Sequence, residues 1–136
     1  MIARQWTGRV RAEDADEYAR YVEETGIRAL TGTPGNVAAH LLVRVDGDEA
    51  EVVVYSVWES MEAVRRFAGD EPDLAVYYPE DERYLTHAPE QVTHWRVARL
   101  ETGAGGDLPA GGPGRTRAIA SSRRPDPLTG PGGIRG

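Results

Sequence analysis

The chain has no cysteine among its 136 residues. That excludes disulfides, thiolate metal sites and cysteine nucleophiles, and it leaves the redox compartment open. It also has no lysine: all 16 basic residues are Arg. Chemistry that needs a lysine amine, such as a Schiff base, is therefore excluded. No apolar run approaches the length of a membrane span. The first ten residues, MIARQWTGRV, are too polar for a secretory signal. These absences predict a soluble, cytoplasmic protein with no membrane partner. A net charge of −6 argues against a nucleic-acid partner.

What is present divides unevenly. The final 35 residues hold 10 of the 16 Gly and 5 of the 9 Pro, with few large apolar side chains. Such a segment cannot offset its ordering entropy by burial. We therefore expect a folded domain over residues 1–101 and a disordered Gly/Pro/Arg-rich tail over 102–136.

Residues 1–101 alternate between strand and helix signals. Ile2 to Arg11 places Ile2, Trp6 and Val10 on one face and Gln5, Thr7 and Arg9 on the other, the pattern of a half-buried strand. Glu13 to Thr25 reads as a helix with a capping box at Asp14-x-x-Glu17, ended by Gly26. Thr31 to Gly35 is a loop, Val37 to Val45 a second strand, and Asp46-Gly47-Asp48 a hairpin turn. Glu51 to Trp58 is a third strand that runs into a helix, with Ser60 as N-cap, Val64, Phe67 and Ala68 at helical spacing, and Gly69 as the stop. Asp70 to Arg83 is an acidic loop with a short helical turn, and Gln91 to Leu100 is the last strand. The order βαββαβ predicts an α+β, ferredoxin-like sandwich with both helices on one sheet face. The third strand is apolar on both faces: Val53, Tyr55 and Val57 oppose Val52, Val54 and Trp58. Its second face needs a cover, and a homodimer supplies one.

Trp58-Glu59-Ser60 at the strand–helix join, the Thr33-Pro34-Gly35 loop and the βαββαβ order resemble the antibiotic biosynthesis monooxygenase family of the dimeric α/β-barrel superfamily. The resemblance covers residues 1 to about 98. It implies a cofactor-independent monooxygenase acting, with O₂, on an aromatic small molecule of polyketide or quinone type. It also implies two alternatives: a non-redox cyclase or isomerase, and a non-catalytic ligand-binding module. Trp58 matches the pocket Trp of the family. The Asn that the polyketide oxygenases carry four positions earlier is Val54 here, and the later His of the haem-degrading members is Ala68.

The cofactor-free reaction needs an apolar pocket, a base and a donor that holds an anion. On that reading Trp6 and Trp58 bind the aromatic ring, His94 or His40 takes the proton, and Arg4 holds the oxyanion with a Tyr from Tyr77, Tyr78 and Tyr84. No metal is assigned. The run Glu80-Asp81-Glu82 is expected to be solvated, and no His spacing supports a site there.

Overall fold

The first strand, β1 (Ile2–Arg11), runs through the middle of a five-stranded antiparallel sheet. The computed structural model describes residues 1–105, and residues Met1–Ala98 form one compact unit. After β1 come α1 (Ala15–Val22), a π-helical turn (Glu23–Ile27) and α2 (Arg28–Thr31). Next are β2 (Asn36–Asp46), β3 (Glu49–Trp58), α3 (Met61–Ala68), α4 (Asp81–Tyr84), β4 (Leu85–His87) and β5 (Thr93–Arg96). No helix among the described residues is long and apolar enough to cross a membrane. Residues 99–105 lie outside the compact unit and contain neither helix nor strand. The expected tail falls on residues 102–136, nearly all of which lie outside the described ones.

The strand order is β2–β3–β1, with both β4 and β5 on the far edge of β1. This is the expected α+β, ferredoxin-like arrangement, except that two short strands share the fourth position. β5 pairs residues Ile2 to Gln5 of β1, and β4 pairs Arg9 and Val10. The expected strand from Gln91 to Leu100 is cut to four residues. At its start, Gln91 bridges Leu74 and the Val92 amide bonds the Asp73 carbonyl instead of β1. The far end has a simple cause. Its pairing runs off the start of β1: Ile2 faces Arg96, and the Val97 amide bonds the Met1 carbonyl at 3.0 Å. Beyond that point there is no partner backbone.

Even-numbered residues of β1 and β3 face the helices. Val10, Ala50 and Val52 pack with Tyr18, Val22 and Tyr84 in one core cluster, and Trp58 packs with Leu30, Ala63 and Val64 in the other. Val54 and Ile27 border both clusters.

Two local expectations change. Gly26 does not end the first helix. Among the described residues only Gly35, Gly47 and Gly69 have positive φ, so Gly26 stays helical within the π turn. Burial of Leu30 beyond it outweighs the roughly 1 kcal/mol that glycine costs a helix interior. The capping box at Asp14 does not form either, because a 3₁₀ turn over Ala12–Asp14 precedes the helix. The Asp14 carboxylate goes to Arg11 at 3.5 Å, and Glu17 accepts the Tyr84 hydroxyl at 2.8 Å.

The join from β3 to α3 forms as read. Ser60 is extended (φ −162°, ψ 166°) and its Oγ accepts the Ala63 amide at 3.1 Å. Gly69, at φ +88°, ends the helix. The Thr33-Pro34-Gly35 loop is clamped against α3. The Gly35 carbonyl accepts the Glu59 amide at 2.9 Å, and Arg66 donates to the Pro34 carbonyl at 2.9 Å. Gly35 has φ +94°, and a Cβ there would lie 2.4 Å from the Ala63 Cβ, so only glycine fits without displacement.

Candidate active site

A cavity of about 60 Å³ lies between the sheet and the helices. The sheet contributes Arg4, Trp6, Val54 and Ser56, the first helical segment contributes Tyr18, Thr25, Gly26 and Leu30, and α3 contributes Phe67. The fourth side is the chain between α3 and β5, through Val76, Tyr78, Asp81 and Val92. That strap is tied down by its own backbone. The Ala75 amide bonds the Glu90 carbonyl at 2.9 Å, and the Val92 amide bonds the Asp73 carbonyl at 2.8 Å.

Arg4 is the dominant charge. Only 4% of it is exposed, and no carboxylate among the described residues lies within ion-pair distance of it. Its Nη1 donates to the Pro72 carbonyl and, at 3.1 Å, to His94 Nε2; its Nη2 donates to the Leu74 carbonyl at 3.2 Å. The guanidinium also lies over the Phe67 ring, 5.6 Å from its centre. Burial brings the Arg4 pKa down to about 10, partly opposed by the field of Asp73. A guanidinium has five N–H donors. Three are used here, so Nε–H and one Nη2–H have no acceptor among the described residues.

His94 reaches Arg4 because β5 pairs β1 with these two residues opposite each other. Arginine only donates, so His94 Nε2 is the acceptor and Nδ1 carries the proton. That Nδ1 lies 3.0 Å from the Asp73 carboxylate. Burial pushes the His94 pKa below its usual value, against the opposing pull of Asp73. The chain Asp73–His94–Arg4 thus fixes the imidazole in its neutral form and aims the guanidinium.

Asp81 places a carboxyl group on the cavity wall, and it is only 6% exposed. Its Oδ1 accepts the Tyr18 hydroxyl at 2.9 Å and its Oδ2 the Tyr78 amide at 2.6 Å. Burial, followed by the charge of Asp81, pushes the Tyr18 pKa far above its ordinary value, so Tyr18 stays a donor. The expectation of a solvated acidic run therefore fails at Asp81, because the single turn of α4 buries it together with Tyr84.

The other candidates separate. Trp6 lines the cavity, and its Nε1 donates to the Tyr77 hydroxyl at 3.1 Å. Its ring lies over Gly8, where a Cβ would sit 2.5 Å from the indole. Tyr78 also lines the cavity. Tyr77 stands outside the lining, edge-on to Trp6, and bonds the Pro89 carbonyl. Trp58 is fully buried and is not on the cavity wall. It stacks near Phe67, and its Nε1 donates to Ser56 Oγ at 2.9 Å, so it supports the wall from behind. Tyr84 is held in the core against Tyr18. His40 is exposed on the opposite sheet face, stacked beside Tyr55, and is separated from the cavity by the sheet itself. Sequence reasoning missed Asp81, Tyr18 and Phe67 as wall residues.

The comparisons agree with this architecture. A family model described as antibiotic biosynthesis monooxygenase matches residues 1–72. Comparison with curated protein sequences gives no significant match. Among solved structures, a candidate antibiotic biosynthesis monooxygenase from Bacillus cereus aligns over 76% of this chain and 96% of its own, at 19% identity and a TM-score of 0.52. One from Nitrosomonas europaea aligns over 73% and 100%, at 12% identity and a TM-score of 0.54. A variant of MhuD, crystallised with two manganese protoporphyrin IX molecules per active site, aligns over 76% and 100%, at 23% identity and a TM-score of 0.54. At these identities the structural likeness concerns the fold. The family match spans more than half of the chain, which belongs to the antibiotic biosynthesis monooxygenase family.

Proposed function

We propose that the protein is a cofactor-independent monooxygenase that oxidises an aromatic small molecule of polyketide or quinone type with O₂. One observation carries this reading: a buried guanidinium stands on the wall of a mostly apolar cavity, and among the described residues two of its donors have no acceptor and no carboxylate lies within ion-pair distance of it. A buried cation left in that state suits a planar oxyanion that arrives with the ligand. Trp6, Phe67 and Val54 supply the apolar surface for the ring that bears it. For an anthrone, loss of a C–H proton leaves an electron pair delocalised onto the oxygen held by Arg4. That anion reduces O₂, and the carbon–oxygen bond forms as a peroxide. Loss of water then leaves the new carbonyl. One CH₂ and one O₂ become one C=O and one H₂O.

Purified protein should consume O₂ with an anthrone or a dihydroquinone without added cofactor, and Arg4→Met should weaken binding of the anion. If the substrate isomerises under nitrogen and no O₂ is consumed in air, the proton-transfer alternative replaces this reading.

The same proposal includes a homodimer. The sheet face away from the helices carries Val53, Tyr55 and Val57, and it exposes 51% of Leu42 and 55% of Trp95. Apolar area of that kind suits a second copy of the chain.

A further inference from the structure

The structure assigns the proton-accepting role to Asp81 rather than to a histidine. This rests on the oxidation reading above and deepens it.

A base must present a free lone pair to the ligand. His94 does not. Its Nε2 lone pair is taken by Arg4, its Nδ1 carries the proton that faces Asp73, and its ring is not on the cavity wall. His40 is on the far face of the sheet. His87 is exposed on the strand that pairs with Arg9. None of the three histidines of this chain is placed to act on a ligand in the cavity.

Asp81 is placed to do so. Its carboxylate is on the wall and almost fully buried, and no cation among the described residues lies within ion-pair distance of it. Each oxygen accepts one hydrogen bond, from Tyr18 and from the Tyr78 amide. A carboxylate oxygen has two acceptor directions, so each retains one. The two donors fix the carboxylate in position without neutralising it. Arg4 is on the same cavity wall. One site therefore offers a proton acceptor and a cation that stabilises the charge left behind.

The step balances. Asp81 takes the acidic C–H proton and becomes a carboxylic acid, and the electron pair stays on the ligand beside Arg4. After O₂ adds, the acid returns that proton to the peroxide oxygen. Water then leaves with the remaining C–H hydrogen, and Asp81 is again a carboxylate. His94 is a positioning residue for Arg4.

The test separates the proton step from the oxidation. Anthrone is incubated under nitrogen in D₂O with the full chain, and incorporation of deuterium at its methylene is followed by mass spectrometry. In parallel, O₂ uptake is measured in air. The wild type should exchange above the buffer rate, and Asp81→Asn should lose about 100-fold or more of that excess. Its amide carbonyl still accepts from Tyr18 but takes no proton. Binding of anthraquinone, read by quenching of tryptophan fluorescence, should change by less than about threefold. His94→Gln, which loosens the aim of Arg4, should weaken binding of an anthraquinone carboxylate and lower the exchange rate by far less than Asp81→Asn does. Asp81→Ser serves if the Asn variant does not fold. Exchange without O₂ uptake leaves the base assignment standing and removes the oxygenase reading. Exchange that survives in Asp81→Asn, or a wild type that does not exchange, overturns the assignment.

Discussion

Arg4→Met separates what this residue does for the fold from what it does for a ligand. The drop in the Arg4 pKa to about 10 means that its charged form is disfavoured in the folded chain. The size of that cost is roughly 3 kcal/mol, at about 1.4 kcal/mol for each tenfold change in proton affinity. Against it stand three hydrogen bonds, to Pro72, Leu74 and His94. Because the donor is charged, each is worth about 1.5–3 kcal/mol, and Met would leave the three acceptors unpaired. The bonds outweigh the burial cost, so Met, of similar length and without charge, should cost the free protein about 2–6 kcal/mol. Urea unfolding followed by tryptophan fluorescence measures this. Ligand binding should behave differently. A charge-assisted bond in a buried site is worth about 1.5–3 kcal/mol, so an anthraquinone carboxylate should bind roughly 10–150-fold more weakly, while neutral anthraquinone changes little. A loss of less than about 1 kcal/mol in the free protein would show that these bonds do not hold the strap. Unchanged affinity for the carboxylate would show that the anion is held elsewhere.

Three further outcomes are expected. Gly35→Ala combines a left-handed φ with a 2.4 Å clash against Ala63, whereas Gly47→Ala has a left-handed φ and nothing within 4 Å. The first should cost about 2–5 kcal/mol and the second about 1–2 in urea unfolding, and equal losses would mean that α3 yields to the added methyl. The His94 pKa is depressed by burial, so its share of stability is present above the unfolded value near 6.5 and is lost as pH falls through the folded value. Wild type should therefore lose stability more steeply than His94→Gln as pH falls below about 6.5, and parallel curves would show that burial does not oppose protonation of His94. Leu42→Glu with Trp95→Glu places charge on the open sheet face and should turn a dimer into a monomer by light scattering at micromolar concentration; a wild-type monomer would remove the dimer proposal.

How much was legible depended on distance along the chain. Strand parity put Arg4 beside Trp6 and opposed Tyr55 to Trp58, because a period of two needs only local sequence. The same reasoning carried one step further places His40. The two-residue turn at Gly47 and Asp48 fixes the pairing of β2 with β3, so that Asp46 faces Glu49 and His40 faces Tyr55. Tyr55 was already assigned to the face away from the helices, and His40 had to join it. The meeting of Arg4 with His94 was of another kind. It rests on the register between two strands 90 positions apart, which no local pattern encodes.

Trp58 and Asp81 show why residue type alone misleads about the wall. Both Trp6 and Trp58 point to the helix side of the sheet, but what stands above each differs. α3 begins three residues after Trp58 and lays Val64 and Phe67 on it, which closes that ground as core. Trp6 lies under the strap instead, over a glycine that leaves room for its ring. Replacing Trp58 by Ala should therefore cost about 3–5 kcal/mol of stability, and a loss of activity in that variant would report on folding before it reported on chemistry. Asp81 reads as one carboxylate in an acidic run, and its neighbours Glu80 and Glu82 are indeed exposed. What singles it out is Tyr18, 63 positions away, whose hydroxyl meets it inside the core. That carboxylate is held by a phenol and an amide, with no cation among the described residues within ion-pair distance. Arg4, on the same cavity wall, has no carboxylate among them at that distance. Neither group is matched by a charge of the fold, and a ligand with an acidic proton and an anionic oxygen is the partner that engages both.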